Sequence, residues 1–333
     1  MNIIEELKRR AKTNPQRIVL PEPEDERILR AAAIVNEEGI AKPILIGSQS
    51  GVRAAAARLG VDLQKVQLLE PESSGKLSEY VELYSRRRSS SKRLAQAVLS
   101  KPLNFSCMMT LTGDADAVVA GASHTSGEVI ATADLILGLS PKISIPSSFF
   151  LIIIPQCKYG ENGALIFSDA SVNPDPGPEC LADIAAASAL SARTMLGWEP
   201  RVAMLSFSTK GSSSDAMVQK IVKATAITKD RFPHLLVDGE LQADVALVPE
   251  VASRKVPGES PVAGRANVLI FPDLNSSNIA YKLIERLAEA HAYGPILQGF
   301  SRPISDLSRG ATVDDIVGTV TLLAVQAQRW IER

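Results

Sequence analysis

The sequence predicts an α/β protein whose sheets are largely parallel and covered by helices. Short apolar segments alternate with longer helical stretches along the whole chain, and a strand–helix–strand–helix order builds parallel sheets. The chain has 333 residues, which is long for one core and comfortable for two domains. After Ser140 the composition shifts to a strongly apolar strand, so we expect the chain to enter a second domain near that residue.

The residues before Ser140 contain short apolar runs separated by helical patterns. The predicted strands are 17–21, 43–46, 66–69 and 117–120. The predicted helices are 25–38, 52–59, 76–88 and 92–99. The first of these helices opens with acidic residues, where the helix dipole favours negative charge.

The residues after Ser140 continue the alternation. The predicted strands are 148–154, 164–167, 201–207, 235–237, 268–271 and a short one starting at Gly294. The predicted helices cover 180–196, follow Asp215 and start again at Thr312. Ligands of open α/β sheets bind beyond the carboxyl ends of the strands, so we expect the loops 208–215, 238–240 and 272–278 to gather on one edge.

The composition excludes several classes of function. Charged residues make up 22% of the chain and the net charge is −1, so no basic excess points to nucleic acid or to a membrane surface. The longest apolar run, 149–154, is far too short to cross a bilayer. The N-terminus has the pattern of an amphipathic helix and not of a signal peptide, so we expect a cytoplasmic protein.

The cysteine and histidine residues argue against a disulfide framework and against a metal site. Cysteine occurs at three unpaired positions with no metal-ligand spacing, and histidine occurs only three times. These residues are Cys107, Cys157, Cys180, His124, His234 and His291.

The segment from Gly294 to Asp315 concentrates groups suited to chemistry on an anionic acyl donor. Arg309 can grip phosphate oxygens or a developing oxyanion, and Ser308 can donate a hydrogen bond to the same charge. Asp315 can accept a proton. Structural alternatives exist, since Thr312 and Asp315 fit a capping box and Arg309 could form a surface ion pair. Spacing alone favours the structural role for Asp315 and leaves Arg309 undecided.

Three further segments are candidate anion sites. The loop of Ser, Thr, Lys and Gly residues in 208–215 lies between a strand and a helix, although it lacks the spacing of a nucleotide P-loop. The turn 121–128 could present backbone amides to an anion or simply form a capping box between Thr125 and Glu128. The cluster 86–93 is the densest basic run, and such runs are usually solvated helix ends.

Eight blocks lie along nearly the whole chain. They are Asp25-Glu-Arg-Ile-Leu, Val119-Ala-Gly-Ala, Ser206-Phe-Ser-Thr-Lys-Gly-Ser, Asp238-Gly-Glu-Leu-Gln, Ala266-Asn-Val-Leu-Ile-Phe-Pro-Asp, Asn278-Ile-Ala-Tyr-Lys, Gly294-Pro-Ile-Leu-Gln-Gly and Asp306-Leu-Ser-Arg-Gly. In this order the set resembles the phosphate acetyltransferase (phosphotransacetylase) family in its short form. The set is highly specific, whereas any single block would be weak.

The resemblance implies a fold like that of isocitrate and isopropylmalate dehydrogenases, with two three-layer αβα domains around a cleft. The last helix would return to the first domain. The expected domains are then 1–140 plus 300–333 on the CoA side and 141–299 on the acyl phosphate side. The family further implies a homodimer, no metal and no permanently bound cofactor. Its reversible reaction converts acetyl-CoA and phosphate to CoA and acetyl phosphate.

The resemblance also implies roles for individual residues. Asp315 would take the CoA thiol proton, Arg309 would bind phosphate and stabilise the oxyanion, and Ser308 would assist. Arg86, or its neighbour Arg87, would bind the CoA 3′-phosphate. The route would be direct thiolate attack on the acetyl carbonyl in a ternary complex. The residues expected to bind acyl phosphate are Ser208, Thr209, Lys210, Gly211 and Asn278.

Proton transfer from the thiol to Asp315 sets a condition on the site. Ordinary aspartate and thiol pKa values of ~3.9 and ~8.5 make this transfer roughly 6 kcal/mol uphill in water. We therefore expect Asp315 to be largely desolvated. We also expect Arg309 to point at substrate, because a guanidinium beside the carboxylate would weaken it as a base.

The chain departs from the family pattern at three places. Ala131 stands where the family has a second arginine, Ala170 where it usually has cysteine, and serines occupy 89–91 where it tends to have Gly and Lys. Losing one charge-assisted contact costs about 1.5–3 kcal/mol, which puts CoA affinity in question more than the chemistry. Candidates to compensate are Arg88, Lys92 and Arg93.

Other functions remain open from sequence. One is an acyltransferase for butyryl or propionyl groups, because pocket size depends on packing. Another is a metal- and NAD-dependent decarboxylating dehydrogenase of the same fold, which the absence of an obvious aspartate cluster disfavours. A third is a non-catalytic CoA- or phosphate-binding homologue, which Ala131 and Ala170 suggest and Ser308, Arg309 and Asp315 oppose.

Overall fold

The computed structural model describes residues 3–141 and 143–331, which form two compact units. The first unit contains the residues up to Ser140 together with those from Phe300 onward. The second unit runs from Pro141 to Gly299. The final helix therefore packs with the N-terminal part of the chain.

The helices and strands follow one another in the order that the alternation predicts. The first unit begins with α1 (Ile3–Thr13), β1 (Gln16–Leu20), α2 (Glu26–Glu37), β2 (Ala41–Ile46), α3 (Gln49–Leu59), β3 (Gln67–Leu69), α4 (Leu77–Arg88), α5 (Lys92–Leu99), α6 (Pro102–Thr112), β4 (Ala117–Val119) and α7 (Ser126–Ile136). The second unit contains β5 (Ser147–Ile153), β6 (Ala164–Ser168), α8 (Pro178–Ser191), a π-helical turn (Ala192–Leu196), β7 (Arg201–Leu205), α9 (Ala216–Arg231), β8 (Leu236–Leu241), α10 (Ala243–Leu247), α11 (Pro249–Lys255), β9 (Val268–Ile270), α12 (Leu274–Leu287) and β10 (His291–Gln298). The first unit resumes with β11 (Ile304–Ser305) and α13 (Val313–Ile331).

The sheet of the first unit is parallel. Its strands pair in the order β3-β2-β1-β4-β11. Ile18 of β1 lies opposite Pro43 of β2 and Ala117 of β4. Helix α13 contacts β1, β4, α1 and α2, whereas α6 contacts β4, α5 and α7. Because helices cover the sheet, its strands are almost continuous apolar runs.

The sheet of the second unit is mixed. Its strands pair in the order β10-β5-β6-β9-β7-β8, and β5 runs antiparallel to both of its neighbours. The other pairings are parallel. A short connection joins β5 to β6, which permits a hairpin but not a crossover. Phe150, Phe167 and Leu269 bury their side chains in the core beside this sheet.

Three sequence predictions about elements are wrong in detail. Helix α6 was missed because it is buried almost all round and therefore lacks an amphipathic pattern. Residues 238–240, predicted as a loop, lie within β8. Asn278, also predicted in a loop, lies on α12, which begins four residues earlier.

None of the helices in 3–141 and 143–331 combines the length and the apolar character that a bilayer span requires.

Candidate active site

The turn after β11 buries its first residues and exposes the next ones. Asp306 and Leu307 are buried, whereas Ser308, Arg309 and Gly310 are exposed. The Ala311 N–H donates to the Ser308 carbonyl oxygen at 2.8 Å and closes the turn. The structure therefore presents Ser308 and Arg309 together on one tight turn.

The Arg309 guanidinium is available to a ligand. Among the residues that the structure describes, none forms a hydrogen bond or an ion pair with this side chain. Asp315, in particular, is engaged elsewhere. That Arg309 points at substrate stays a prediction, and no bond to Asp315 among the described residues opposes it.

Asp315 forms the capping box that its spacing allows. Its Oδ2 accepts from the Thr312 N–H and hydroxyl, both at 2.8 Å, and its own N–H donates to the Thr312 hydroxyl at 3.2 Å. The carboxylate is half-buried. That Asp315 is largely desolvated during catalysis stays a prediction, because the side chain is partly buried in the first turn of α13.

The turn between β4 and α7 holds an anion of the protein itself. The N–H groups of residues 121–124 all donate to the Glu22 carboxylate at 2.7–2.9 Å, and so does the His124 ring. Burial alone would raise the pKa of Glu22, but these hydrogen bonds bring the pKa below its usual value. The capping box between Thr125 and Glu128 is also present. The predicted anion-binding turn is thus filled by Glu22.

Asp306 is a second buried carboxylate beside the same turn. It accepts a hydrogen bond from the Ser126 hydroxyl and is 1% exposed. Burial is the main cause that raises the pKa of Asp306 to about 6, and the nearby Glu22 charge adds to it. Two carboxylates thus approach the 121–126 turn from the ends of β1 and β11.

The basic cluster 86–93 is exposed but only partly free. Arg86 and Lys92 both approach the Glu82 carboxylate, at 3.5 and 2.6 Å. Arg88 donates to the carbonyl oxygens of Asp134 and Leu135 at the C-terminus of α7. Within the described part of the chain, Arg87 and Arg93 have no recorded polar partner. These two are therefore the cations of the cluster most available to a phosphate.

The hydrogen-bond donors of the loop after β7 also bind acceptors of the protein itself. Gly211 N–H and the Ser208 hydroxyl donate to Glu240 Oε1 at 2.7 and 3.0 Å. Lys210 Nζ lies 2.5 Å from Asp238 Oδ1. Burial opposes ionisation of Asp238, but Lys210 and Ser260 hold its pKa below the usual value. An external phosphate would have to displace these carboxylates.

The other two predicted residues of the second unit have different settings, since Thr209 lies within this loop and Asn278 lies on α12. The Thr209 hydroxyl bonds Gln242, accepting from its N–H at 3.0 Å. Asn278 is half-buried on α12, whose first turn Asp273 caps by accepting from Ser276 N–H at 2.8 Å.

The two alanines that depart from the family pattern lie in different environments. Ala131 is exposed on α7, a few residues before the carbonyls that bind Arg88. Ala170 is buried in the core of the second unit. An arginine is thus absent from an accessible surface, whereas the missing cysteine would have been enclosed.

In the described ranges, His, Cys, Asp and Glu side chains form no group of three or more that could hold a metal ion.

Comparison with known proteins identifies the family. The sequence matches the phosphate acetyl/butaryl transferase family over residues 2–324. The chain belongs to this family. A family member from Thermoanaerobacterium thermosaccharolyticum, a phosphate acetyltransferase, is 48% identical over 331 residues, which cover 98% of this chain and 100% of that one.

Solved structures place this chain in the expected fold class. A phosphotransacetylase from Streptococcus pyogenes superimposes with a TM-score of 0.91 at 37% identity and covers 98% of both chains. A protein described as a 4-hydroxythreonine-4-phosphate dehydrogenase from Salmonella typhimurium gives a TM-score of 0.57 at 12% identity, over 94% of this chain and 99% of that one. The second likeness concerns the fold alone and agrees with the expected fold class.

Sequence reasoning about this family member missed Glu22, Arg27 and Asp306 as parts of the site. Arg27 contacts the 309–311 turn and Glu22 fills the 121–124 turn, although each pair is distant in sequence. A usable signal existed for two of them, because Arg27 and Asp306 lie within blocks that carry the family resemblance.

Proposed function

We propose that this chain is a phosphate acetyltransferase, which reversibly converts acetyl-CoA and phosphate to CoA and acetyl phosphate. Membership of the family and 48% identity to a phosphate acetyltransferase of the same length support the activity. The observation that carries the assignment to a site is the exposed turn with Ser308 and Arg309, whose guanidinium has no polar partner among the described residues, followed by Asp315 in the first turn of α13.

The proposed mechanism uses these three side chains on a bound pair of substrates. Asp315 takes the CoA thiol proton, and the thiolate sulfur forms a bond to the acetyl carbonyl carbon. Arg309 grips the phosphoryl oxygens, and Ser308 donates to the oxyanion. The carbon–oxygen bond to phosphate then breaks, and the phosphate leaves with the proton that Asp315 returns. The half-buried Asp315 needs further desolvation, which bound substrates would supply.

The roles proposed for the remaining residues are supported to different degrees. Arg87 is better placed than Arg86 for the CoA 3′-phosphate, because Arg86 approaches Glu82. Ser208, Thr209, Lys210, Gly211 and Asn278 remain the proposed acyl phosphate side. Since Lys210 is already paired with Asp238, we expect Lys210→Met to raise the KM for acetyl phosphate less than Arg309→Ala does.

A homodimer is part of the proposal, as is a cytoplasmic protein without a metal or a resident cofactor. Ile279, Leu283 and Leu287 are spaced four residues apart on α12 and are 58%, 52% and 80% exposed. An apolar stripe of this kind marks a surface suited to a second copy. Light scattering on the wild type and on Leu283→Glu tests it, and a monomeric wild type would contradict it.

Acetyl transfer from acetyl phosphate to CoA, followed as thioester absorbance, tests the activity. We expect turnover by the wild type and a loss of about a hundredfold or more in Arg309→Ala. Arg9→Ala is the control, because α1 packs near Gln328, roughly 20 Å along α13 from Asp315. Equal activity of the two variants would refute the assignment of Arg309. Turnover only with propionyl or butyryl phosphate would shift the substrate to a longer acyl group.

A further inference from the structure

The Arg27 side chain uses every N–H of its guanidinium within the first unit. Nε and Nη2 donate to the two oxygens of Asp25 at 3.0 and 2.7 Å. Nη1 donates to the carbonyl oxygens of Arg309 and Ala311, each at 2.8 Å. Nη2 also donates to the Ala122 carbonyl oxygen at 3.3 Å. Five donors in a planar fork thus meet five acceptors, which is the full capacity of an arginine.

The base of this fork is fixed. Asp25 is the N-cap of α2 and accepts from the Arg27 N–H at 2.9 Å, so the carboxylate is anchored to the same helix end. The hydrogen bond with Arg27 is the largest cause that lowers the pKa of Asp25, and the same bond raises the pKa of Arg27. The side chain of Arg27 is 30% exposed. The guanidinium therefore has a defined position before any ligand binds.

The other end of the fork fixes the turn that carries Arg309. The carbonyls of Arg309 and Ala311 flank Gly310, whose nearest neighbour to a Cβ position is the Ser308 hydroxyl at 3.9 Å. Inside the turn the Ala311 and Gly310 N–H groups bond to Ser308, and a glycine such as Gly310 still has more backbone conformations available than other residues. The two bonds from Arg27 restrain the peptide units on either side of it. The same two bonds also fix where the chain enters α13, and hence the positions of Thr312 and Asp315.

We propose that Arg27 is a positioning residue, which holds the Arg309–Ala311 turn in the conformation in which Arg309 and Asp315 act. This inference rests on the proposed function. Arg27 acts through backbone carbonyl oxygens and does not contact the reacting atoms. Its loss misplaces Arg309 during catalysis, because a shift of about 1 Å in a group that grips substrate can reduce the rate by about a hundredfold. CoA affinity, which depends on other residues, is unaffected.

The chain contains a matched control for a purely structural role. Arg17 also forks a carboxylate, with Nε and Nη2 at 3.0 and 2.6 Å from Asp116. It also binds two carbonyl oxygens, those of Asp114 at 2.9 Å and Gly113 at 2.8 Å. This fork ties β1 to the turn before β4. Arg17→Met thus removes the same kinds of bonds in the same unit without touching the Arg309 turn.

The experiment compares Arg27→Met, Arg27→Lys and Arg17→Met in the full chain. We expect similar losses of melting temperature in the two methionine variants. We expect kcat to fall about ten- to a hundredfold in Arg27→Met and to stay within about twofold in Arg17→Met. The KM for CoA should change less than about twofold in both. Lysine should restore little of the lost kcat, since an ammonium lacks the planar fork.

Two further readouts separate positioning from general stabilisation. In an Arg309→Ala background, Arg27→Met should lower kcat by less than about twofold, because residues that act through each other are not additive. Amide hydrogen exchange over 310–312 should accelerate in Arg27→Met and not in Arg17→Met.

The outcomes distinguish this inference from the proposed function. Full kcat in Arg27→Met, or an equal loss of kcat in the Arg309→Ala background, overturns the inference and leaves the function intact. Full turnover in Arg309→Ala overturns the proposed role of Arg309. If Arg309→Ala keeps full turnover, unchanged amide hydrogen exchange over 310–312 in Arg27→Met also overturns the positioning role of Arg27. If Arg27→Met does not fold, Arg27→Lys carries the same comparison. A wild type that transfers no acyl group to CoA from acetyl, propionyl or butyryl phosphate overturns both.

Discussion

Asp315 accepts hydrogen bonds from the N–H and the hydroxyl of Thr312, both at 2.8 Å. Glu128 accepts from the same two groups of Thr125, at 2.8 and 2.9 Å. The first unit therefore contains two capping boxes of nearly equal geometry, one at α13 and one at α7. Only the first follows an exposed turn with an unengaged arginine. The pair allows the capping role of Asp315 to be separated from its proposed role as a base.

We predict that Asp315→Asn loses about 100- to 10,000-fold in kcat, the usual contribution of a general base. Glu128→Gln should keep kcat within about twofold. Both amides retain an acceptor for the threonine groups, so each variant should lose at most about 1 kcal/mol of unfolding free energy. Steady-state kinetics and urea unfolding measure the two quantities. Equal kcat values in the two variants would mean that Asp315 caps the helix and does not act as a base.

For CoA, Arg87→Gln should raise the KM about tenfold, and Arg86→Gln only about twofold. Glu82 already faces Arg86, whereas Arg87 has no recorded polar partner among the described residues. Assays with CoA that lacks the 3′-phosphate provide the control, because Arg87→Gln should then have little effect. A larger effect of Arg86→Gln than of Arg87→Gln would reverse the assignment.

Strands β1 to β4 of the first unit could be predicted because each contains an apolar run between turn residues, whereas the two-residue β11 is too short to give such a signal. The run 43–46 appears as Ala41–Ile46, and the helix predicted at 25–38 appears as Glu26–Glu37. Helix α6 could not be predicted by periodicity, since Leu103, Phe105 and Met108 bury different faces. The spacing of apolar residues reveals a helix when one of its faces is exposed to water and the other is buried, and α6 has almost no exposed face.

The candidate site was predictable in its chemistry and not in its internal partners. Ser308, Arg309 and Asp315 stand within one short segment, so their types and spacing are visible in the sequence. The hydrogen bonds between Arg27 and the Arg309 turn, and between Gly121 and Glu22, join residues far apart in the chain. No local pattern encodes such pairs. The same reason explains why Glu240 was not foreseen as the anion in the 208–211 loop.

Gly121→Ala should be one of the most destabilising single changes in the first unit. Gly121 has φ +109°, and a Cβ there would lie 2.6 Å from the Leu307 nitrogen and 2.9 Å from the Leu307 oxygen. Backbone atoms cannot yield as a side chain can, so we expect a loss of about 3 kcal/mol or more in unfolding free energy. Turnover should also fall, because Leu307 precedes the Ser308 turn.

Gly113→Ala is the control for Gly121→Ala. Gly113 also has a positive φ of +82°, but nothing lies within 4 Å of a Cβ at that position. Its cost should be only about 1–2 kcal/mol, the strain of a left-handed backbone. Urea unfolding of both variants measures the difference. Equal losses would show that Leu307 moves aside more easily than its burial indicates.

Asp306 should make stability fall as pH rises through weakly acidic values. Its pKa in the folded chain is raised to about 6, mainly by burial, from the model-compound value of 3.8. Between these two values the folded chain keeps a proton that the unfolded chain releases. Protonation therefore favours folding below about pH 4, and this advantage is lost as pH rises through about 6. The contribution of this one carboxyl is roughly 3 kcal/mol.

The variant Asp306→Asn isolates this carboxyl, because an amide of the same shape does not titrate. We predict that its unfolding free energy relative to wild type rises between pH 4 and pH 7 and levels off above that range. Glu22→Gln should behave oppositely and at lower pH, since the pKa of Glu22 is lowered and its stabilisation is lost only as pH falls below the ordinary value of 4.5. Urea unfolding at pH 4–7.5 measures the Asp306 difference, and its extension to more acidic pH measures the Glu22 difference. A difference between Asp306→Asn and wild type that does not change with pH would mean that Asp306 ionises normally in the folded chain, and that Ser126 and the surrounding backbone compensate fully for its burial.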